Sequence, residues 1–229
     1  MLKTDCLKGP GFHERLLRLV YPEKCIFCGA ILPETAKIST CEPCYACLPR
    51  YGRGFERAPR IPWINGLFAS FIYEDSVEQA IQAMKFFGRP RAAGTFAFLM
   101  WDELDKHPFM PDFDLIVPVP MHRRKKMSRG YNQSEIVGQA LGRILNIPVV
   151  NALTKTRHTK PQSLSSREER LKNLENSIKV SDPSVVDGLN ILLVDDVVTT
   201  GATLSTCAQA LHEAGASWIF AAVIAIAGK

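Results

Sequence analysis

The sequence predicts a doubly wound α/β fold, a parallel sheet with helices on both faces, and three observations carry that reading. From residue 63 onward, short apolar runs rich in branched residues alternate with segments of helical periodicity. The stretch "ILLVDDVVTTGATLS" (191–205) reads as a buried strand, a loop of small residues and the start of a helix. The run from Ile219 to Ala227 is far shorter than the ~20 residues of a membrane-spanning helix, and suits a final buried strand. A length of 229 residues fits one domain of roughly 150 residues with a small appendage.

The expected division is a cysteine-rich segment over 1–50, a linker over 51–62 and the α/β domain over 63–229. Tyr51 to Pro62 is rich in Arg, Gly and Pro, hence the linker. "GLFASFIYED" then reads as a strand. "SVEQAIQAMKFFG" reads as an amphipathic helix turning Val77, Ala80, Ile81, Met84 and Phe87 inward. After a break at "FFGRPRAAG" the pattern returns to helix in "TFAFLMWDELDK". Leu115 to Val119 is the next strand, stopped by Pro118 and Pro120, and a helix follows from about Asn132 to Leu145.

The strand at Ile191–Val194 leads into Asp195 and Asp196, then into Val198, Thr199, Thr200, Gly201, Ala202 and Thr203, and a helix whose inward positions are Leu204, Cys207, Ala208 and Leu211. Thr203 or a neighbour is expected to cap it. Unpaired N–H groups at a helix start and the positive end of its dipole accept a phosphate. Gly201 lets the backbone bend around that phosphate, and the threonines add hydroxyl donors. Two carboxylates call for a different partner, a sugar diol or a magnesium ion. Together the parts describe a site for a sugar phosphate.

Six of the seven cysteines lie in the first quarter of the chain. Cys25/Cys28 and Cys41/Cys44 are two Cys-x-x-Cys pairs separated by twelve residues, a spacing that closes a tetrahedral structural zinc site, with Gly29 suited to the knuckle turn. Cys47 competes with Cys44 for the fourth place, and a redox dithiol or an iron–sulfur site are the alternatives. The charge balance of 28 basic against 23 acidic residues, net +5, permits a polyanionic partner without requiring one. Its local concentration says more: Arg123, Arg124, Lys125, Lys126 and Arg129 place five cations in seven residues. They follow the carboxyl end of a strand, where open α/β sheets bind ligands, so the segment reads as a basic loop facing a pyrophosphate or a nucleic acid backbone. The N-terminus has no apolar core free of charge, so neither a signal peptide nor membrane insertion is expected, and the location is read as cytoplasmic.

"ILLVDDVVTTGATLS" resembles the phosphoribosyl pyrophosphate motif of type I phosphoribosyltransferases. "VPVPMHRRKKMSRGYNQSEIVGQAL" and the pattern of Arg157, Thr159, Gln162, Arg170 and Asn173 resemble the competence protein F family, and with the cysteine knuckle in front the chain is identified as a member by that likeness. The resemblance implies a type I phosphoribosyltransferase fold with an N-terminal zinc finger, and an association with DNA uptake in natural transformation. It implies a mobile hood over 154–177 that brings Lys155, Arg157, Lys160 and Arg167 to a pyrophosphate. Thr199 stands where purine-using members of the fold carry an acid, which argues against purine salvage. If the site turns over, pyrophosphate is displaced from phosphoribosyl pyrophosphate with magnesium, Arg123, Arg124 and Arg157 stabilising the leaving group and Asp195 and Asp196 holding the ribose. The sequence names no acceptor nucleophile. Two functions follow: a DNA-uptake factor binding phosphoribosyl pyrophosphate and single-stranded DNA, with other uptake proteins as partners, or a metabolic transferase acting on a small base or amine.

Overall fold

The computed structural model describes residues 22–58, 61–86, 90–155 and 177–228. Cys6, Phe87, Arg157 and most of the expected hood lie outside them. In chain order the elements are α1 (Glu42–Ala46), β1 (Gly66–Ile72), α2 (Asp75–Phe86), α3 (Pro90–Leu104), β2 (Leu115–Pro118), α4 (Arg123–Arg129), α5 (Gln133–Leu145), β3 (Leu153–Lys155), β4 (Ile178–Val180), β5 (Asn190–Val198), α6 (Ala202–Glu213) and β6 (Trp218–Ile226).

β1, β6, β5 and β2 form a sheet in that order, and every pairing is parallel. Side chains alternate across each strand, so β5 sends Leu192 and Val194 to one face and Ile191 and Leu193 to the other. The first face is covered by α2, α3 and α5 through Ile81, Met84, Phe96, Met100 and Leu141. The second is covered by α6 through Leu204, Cys207, Ala208 and Leu211. This is the doubly wound arrangement expected from the alternating pattern. β3 and β4 pair antiparallel beside the sheet and flank residues 156–176.

Three local readings differ from the structure. β5 runs on through both acids to Val198, paired with β6 as far as Ile226. β2 stops opposite Val194, so Asp195 and Asp196 lie mid-strand but beyond their neighbour's end. The expected basic loop is the short helix α4, started by His122, whose Nδ1 accepts the Arg124 N–H at 3.2 Å, and ended by left-handed Gly130. The expected linker lies along the outer edge of β1, where Glu56 and Leu67 exchange backbone hydrogen bonds. Phe55 enters the core there, with ring centroids 5.5 Å from Phe68, 5.8 Å from Phe113 and 5.5 Å from Phe220.

The cysteine segment rests on α3. Phe27 meets Phe96 edge to face at 6.1 Å, and Tyr45 donates to Asp102 at 2.5 Å. Arg50 pairs with the buried Glu103 at 2.8 Å. A segment with little core of its own is thereby anchored on the main domain.

Candidate functional site

The deciding geometry lies at the carboxyl ends of β5 and β2. Asp195 accepts the Ser134 hydroxyl at 2.8 Å and the Asp196 backbone N–H at 2.9 Å. Burial pushes its carboxyl up to about 7, and the adjacent Asp196 charge adds to the rise, against the pull of Ser134, the Asp196 N–H and Lys85. Asp196 pairs with Lys85 of α2 at 2.9 Å.

A cavity of about 260 Å³ opens in front of this pair. Its wall carries Lys85, Lys125, Arg129 and Lys155 together with Gln133, Ser134 and both acids. Arg129 donates to Gln133 Oε1 at 3.3 Å. Because arginine only donates, this contact sets the amide orientation, and the buried Gln133 Nε2 is left without a protein partner. Burial, with the charges of Arg129 and Lys85 nearby, lowers the pKa of Lys125, while Asp196 opposes the shift. Half-sheltered like charges of this kind are relieved by an incoming polyanion.

Next to it lies a hollow of about 50 Å³ lined by Asp195 and by residues 197–204. Asp195 and Thr203 line both spaces. Gly201, with φ of +76°, stands at the start of α6 in the left-handed conformation and has no side chain to cap it, while Thr200 Oγ1 accepts the Ala202 N–H at 3.4 Å. The capping threonine is thus the neighbour Thr200 and not Thr203, and a helix start of this kind suits an anion through its remaining first-turn N–H groups. Thr199 and Thr200 are exposed. A β-carbon at Gly201 would lie 2.4 Å from Ile61 Cγ1, so this glycine is required by close packing as well as by its φ.

The basic cluster divides in two. Lys125 and Arg129 line the cavity, whereas Arg123 and Arg124 are exposed and do not line it. Lys126 is paired with Glu135 at 2.7 Å. Lys155, at the end of β3, lies in the cavity wall. Lys85 was missed, because a lysine in the last turn of a helix is already accounted for by the helix dipole.

The sulfurs of Cys25, Cys28, Cys41 and Cys44 lie within 4.8 Å of one another. Tetrahedral zinc with Zn–S bonds of about 2.3 Å would hold its sulfurs roughly 3.8 Å apart, and Cys28 and Cys41 stand 3.7 Å apart. Cys47 is exposed and outside this group. Gly29, at φ +76°, makes the knuckle turn. Burial raises the Cys25 thiol, but backbone N–H groups of Cys28, Cys41 and Phe27 outweigh it and bring it to about 6. Burial and the neighbouring thiols push Cys44 up. Such a set, with Cys25 poised to ionise while Cys44 is held back, is one that a soft dication would complete.

Residues 132–229 match the phosphoribosyl transferase domain family. The DNA utilization protein YhgH of Salmonella typhi is 32% identical over 192 residues, 80% of this chain and 82% of that protein. Competence protein F of Haemophilus influenzae is 36% identical over 104 residues, 44% of this chain and 45% of its own. The chain belongs to the competence protein F family. Its α/β domain has the type I phosphoribosyltransferase fold, as the domain match and the parallel sheet together require. Among solved structures, glutamine phosphoribosylpyrophosphate amidotransferase from B. subtilis, complexed with ADP and GMP, aligns with a TM-score of 0.43 at 19% identity, covering 62% of this chain and 30% of that chain. Among the described residues no helix is long and apolar enough to cross a membrane.

Proposed function

We propose that this competence protein F family member binds phosphoribosyl pyrophosphate in the cleft between β5, α5 and α6 and uses that site in the handling of single-stranded DNA. The observation that carries the reading is the junction at Asp195 and Thr203, where a hollow at a helix start meets a cavity holding two acids and four cations. Asp195 and Asp196 would hold the ribose hydroxyls. The loop 198–203 would seat the 5-phosphate on the first turn of α6. Lys125, Arg129 and Lys155, joined by Arg157, would receive the pyrophosphate. Magnesium bound with the ligand would neutralise charge on the departing pyrophosphate. The protein's own part is to orient the anomeric carbon between two fixed anchors and to supply preorganised positive charge on one side of it.

The names of the relatives, DNA utilization and competence proteins, support the DNA part, and the exposed Arg123 and Arg124 offer a surface for it outside the small-ligand cavity. We assign a structural zinc to Cys25, Cys28, Cys41 and Cys44, since four protein thiolates leave no open position for chemistry. Thiolates stay available for metal in a reducing cytoplasm, which is where this reading places the protein.

Calorimetric titration with phosphoribosyl pyrophosphate and with single-stranded DNA, each competed against the other, tests the proposal. Asp195→Asn combined with Asp196→Asn should abolish binding of the small ligand while the fold persists. Unchanged affinity in that double variant would show that the ribose is wrongly placed. Wild-type protein that releases pyrophosphate when given a small amine or base, and that ignores DNA at low salt, would establish the metabolic transferase instead.

A further inference from the structure

Neither acid of the pair stands open. Asp195 is held by the Ser134 hydroxyl and the Asp196 N–H, and Asp196 is held by Lys85 at 2.9 Å, with side-chain exposures of 15% for the acid and 20% for the lysine. Lys85 comes from α2, a different element from the rest of the cleft's cations, and it lines the same cavity as Lys125, Arg129 and Lys155. Tyr131 donates to the Met84 carbonyl. This ties the end of α2 to the segment between α4 and α5 and so keeps Lys85 at the mouth of the site.

An ion pair this sheltered is costly to break by removing one partner, because the charge left behind is poorly solvated. A ribose ring brings only neutral hydroxyls, which can hydrogen-bond Asp196 or Lys85 but bring Lys85 no charge to replace that of Asp196. A diphosphate arm brings several negative charges into the cavity, where Lys85 can turn to them. From this we infer that Lys85 guards Asp196 and is exchanged onto the diphosphate, so that the ribose subsite opens fully only when the pyrophosphate subsite is filled. The inference rests on the proposed phosphoribosyl pyrophosphate site. It makes Lys85 the residue that separates the full diphosphate donor from ribose 5-phosphate, its own degradation product. The unpartnered Nε2 of Gln133 lies in the same wall and gives the arriving arm a further donor.

The two halves of the ligand should then bind with positive coupling, and coupling is reciprocal. Ribose 5-phosphate is titrated calorimetrically into wild-type protein with and without saturating inorganic pyrophosphate and magnesium. Its affinity should rise at least about fivefold when pyrophosphate is present, the low end of ordinary site-to-site coupling. In Lys85→Met, ribose 5-phosphate alone should bind at least about fivefold more tightly than to wild type. Pyrophosphate should then help it by less than about twofold, or hinder it through charge repulsion, and affinity for phosphoribosyl pyrophosphate should fall. Lys85→Arg, which keeps the charge, should retain the coupling. Wild-type protein that binds phosphoribosyl pyrophosphate but shows no coupling overturns the guard alone, and this arm needs no variant to fold. Full coupling persisting in Lys85→Met overturns it as well. Wild-type protein that binds neither ribose 5-phosphate nor phosphoribosyl pyrophosphate overturns the site and the guard together.

Discussion

Gly201→Ala is a small change at which two separable penalties meet. The backbone there is left-handed, with φ of +76°, and an L side chain in that region costs about 1–2 kcal/mol. The new β-carbon would also sit 2.4 Å from Ile61 Cγ1 and 2.5 Å from its Cδ1. Ile61 is 7% exposed and packed in the core, and such overpacking costs about 1–3 kcal/mol. The sum, roughly 3 kcal/mol, should lower Tm by about 6–12 °C in a domain of this size. Ile61 lines neither hollow, so the substitution should act by displacing the loop and not by filling the proposed phosphate seat. Even the larger Gly201→Val works through that displacement, although the sequence alone suggests a simple steric block. Ile61→Ala should therefore rescue part of the loss. In a double-mutant cycle read by urea denaturation, the combined variant should be more stable than additivity predicts by about 1–3 kcal/mol. Phosphoribosyl pyrophosphate affinity should recover in parallel. Additivity within about 0.5 kcal/mol, or an affinity loss untouched by Ile61→Ala, would refute the reasoning.

Metal analysis should return about one zinc per chain, and Cys25→Ser or a strong chelator should release it; iron, or no metal in protein purified without chelator, would remove the assignment. Asp195 has a folded pKa of about 7 against an ordinary 3.8, so the folded state binds more protons between those values and stability from this group falls as pH rises from about 4 to 7. Asp195→Asn should match wild type below pH 4 and exceed it by on the order of 2 kcal/mol above pH 7, measured by urea denaturation across pH; a variant less stable at pH 8 contradicts the burial argument. Arg123→Ala with Arg124→Ala should reduce the log–log salt slope of single-strand binding by about 1.4, at about 0.7 per lost phosphate contact, while phosphoribosyl pyrophosphate affinity stays within about threefold. A large loss of the small ligand would return these arginines to the cleft.

The frame of the fold was readable because burial on both faces forces a distinctive pattern. β5 and β6 are runs of branched or small apolar residues, and α6 announces itself by Leu204, Cys207, Ala208 and Leu211 at helical spacing. Shorter segments lack that pressure. α4 has no buried residue and hence no apolar period; it exists because His122 caps one end and Gly130 turns the other, and five cations hide both signals. The stretch through Gly52 and Gly54 is linker-like in composition, yet both glycines adopt positive φ and so deliver Phe55 to the aromatic cluster. A single half-buried ring packed against the core decides the path of that segment, and composition averages it away.

The site divides along the same line. What lies within one strand–loop–helix unit, the acids, Gly201 and the seat on α6, is adjacent in the chain and could be read there. What completes the cleft comes from elsewhere: Lys85 sits 111 positions before Asp196, Ser134 61 positions before Asp195. These contacts exist only because α2 and α5 both pack on one face of the sheet, and nothing in "QAMKFF" or "NQSEIV" names the partner. The consequence bears on how such a site evolves a preference for its ligand. On the proposed reading the anchors for ribose and phosphate belong to one strand–loop–helix unit, but Lys85, the cation paired with Asp196, arrives on a separate helix. On that reading a change at Lys85 would reach β5 only through the charge of Asp196, so selectivity for a diphosphate arm would be tuned from α2 while the loop before α6 keeps its own contacts.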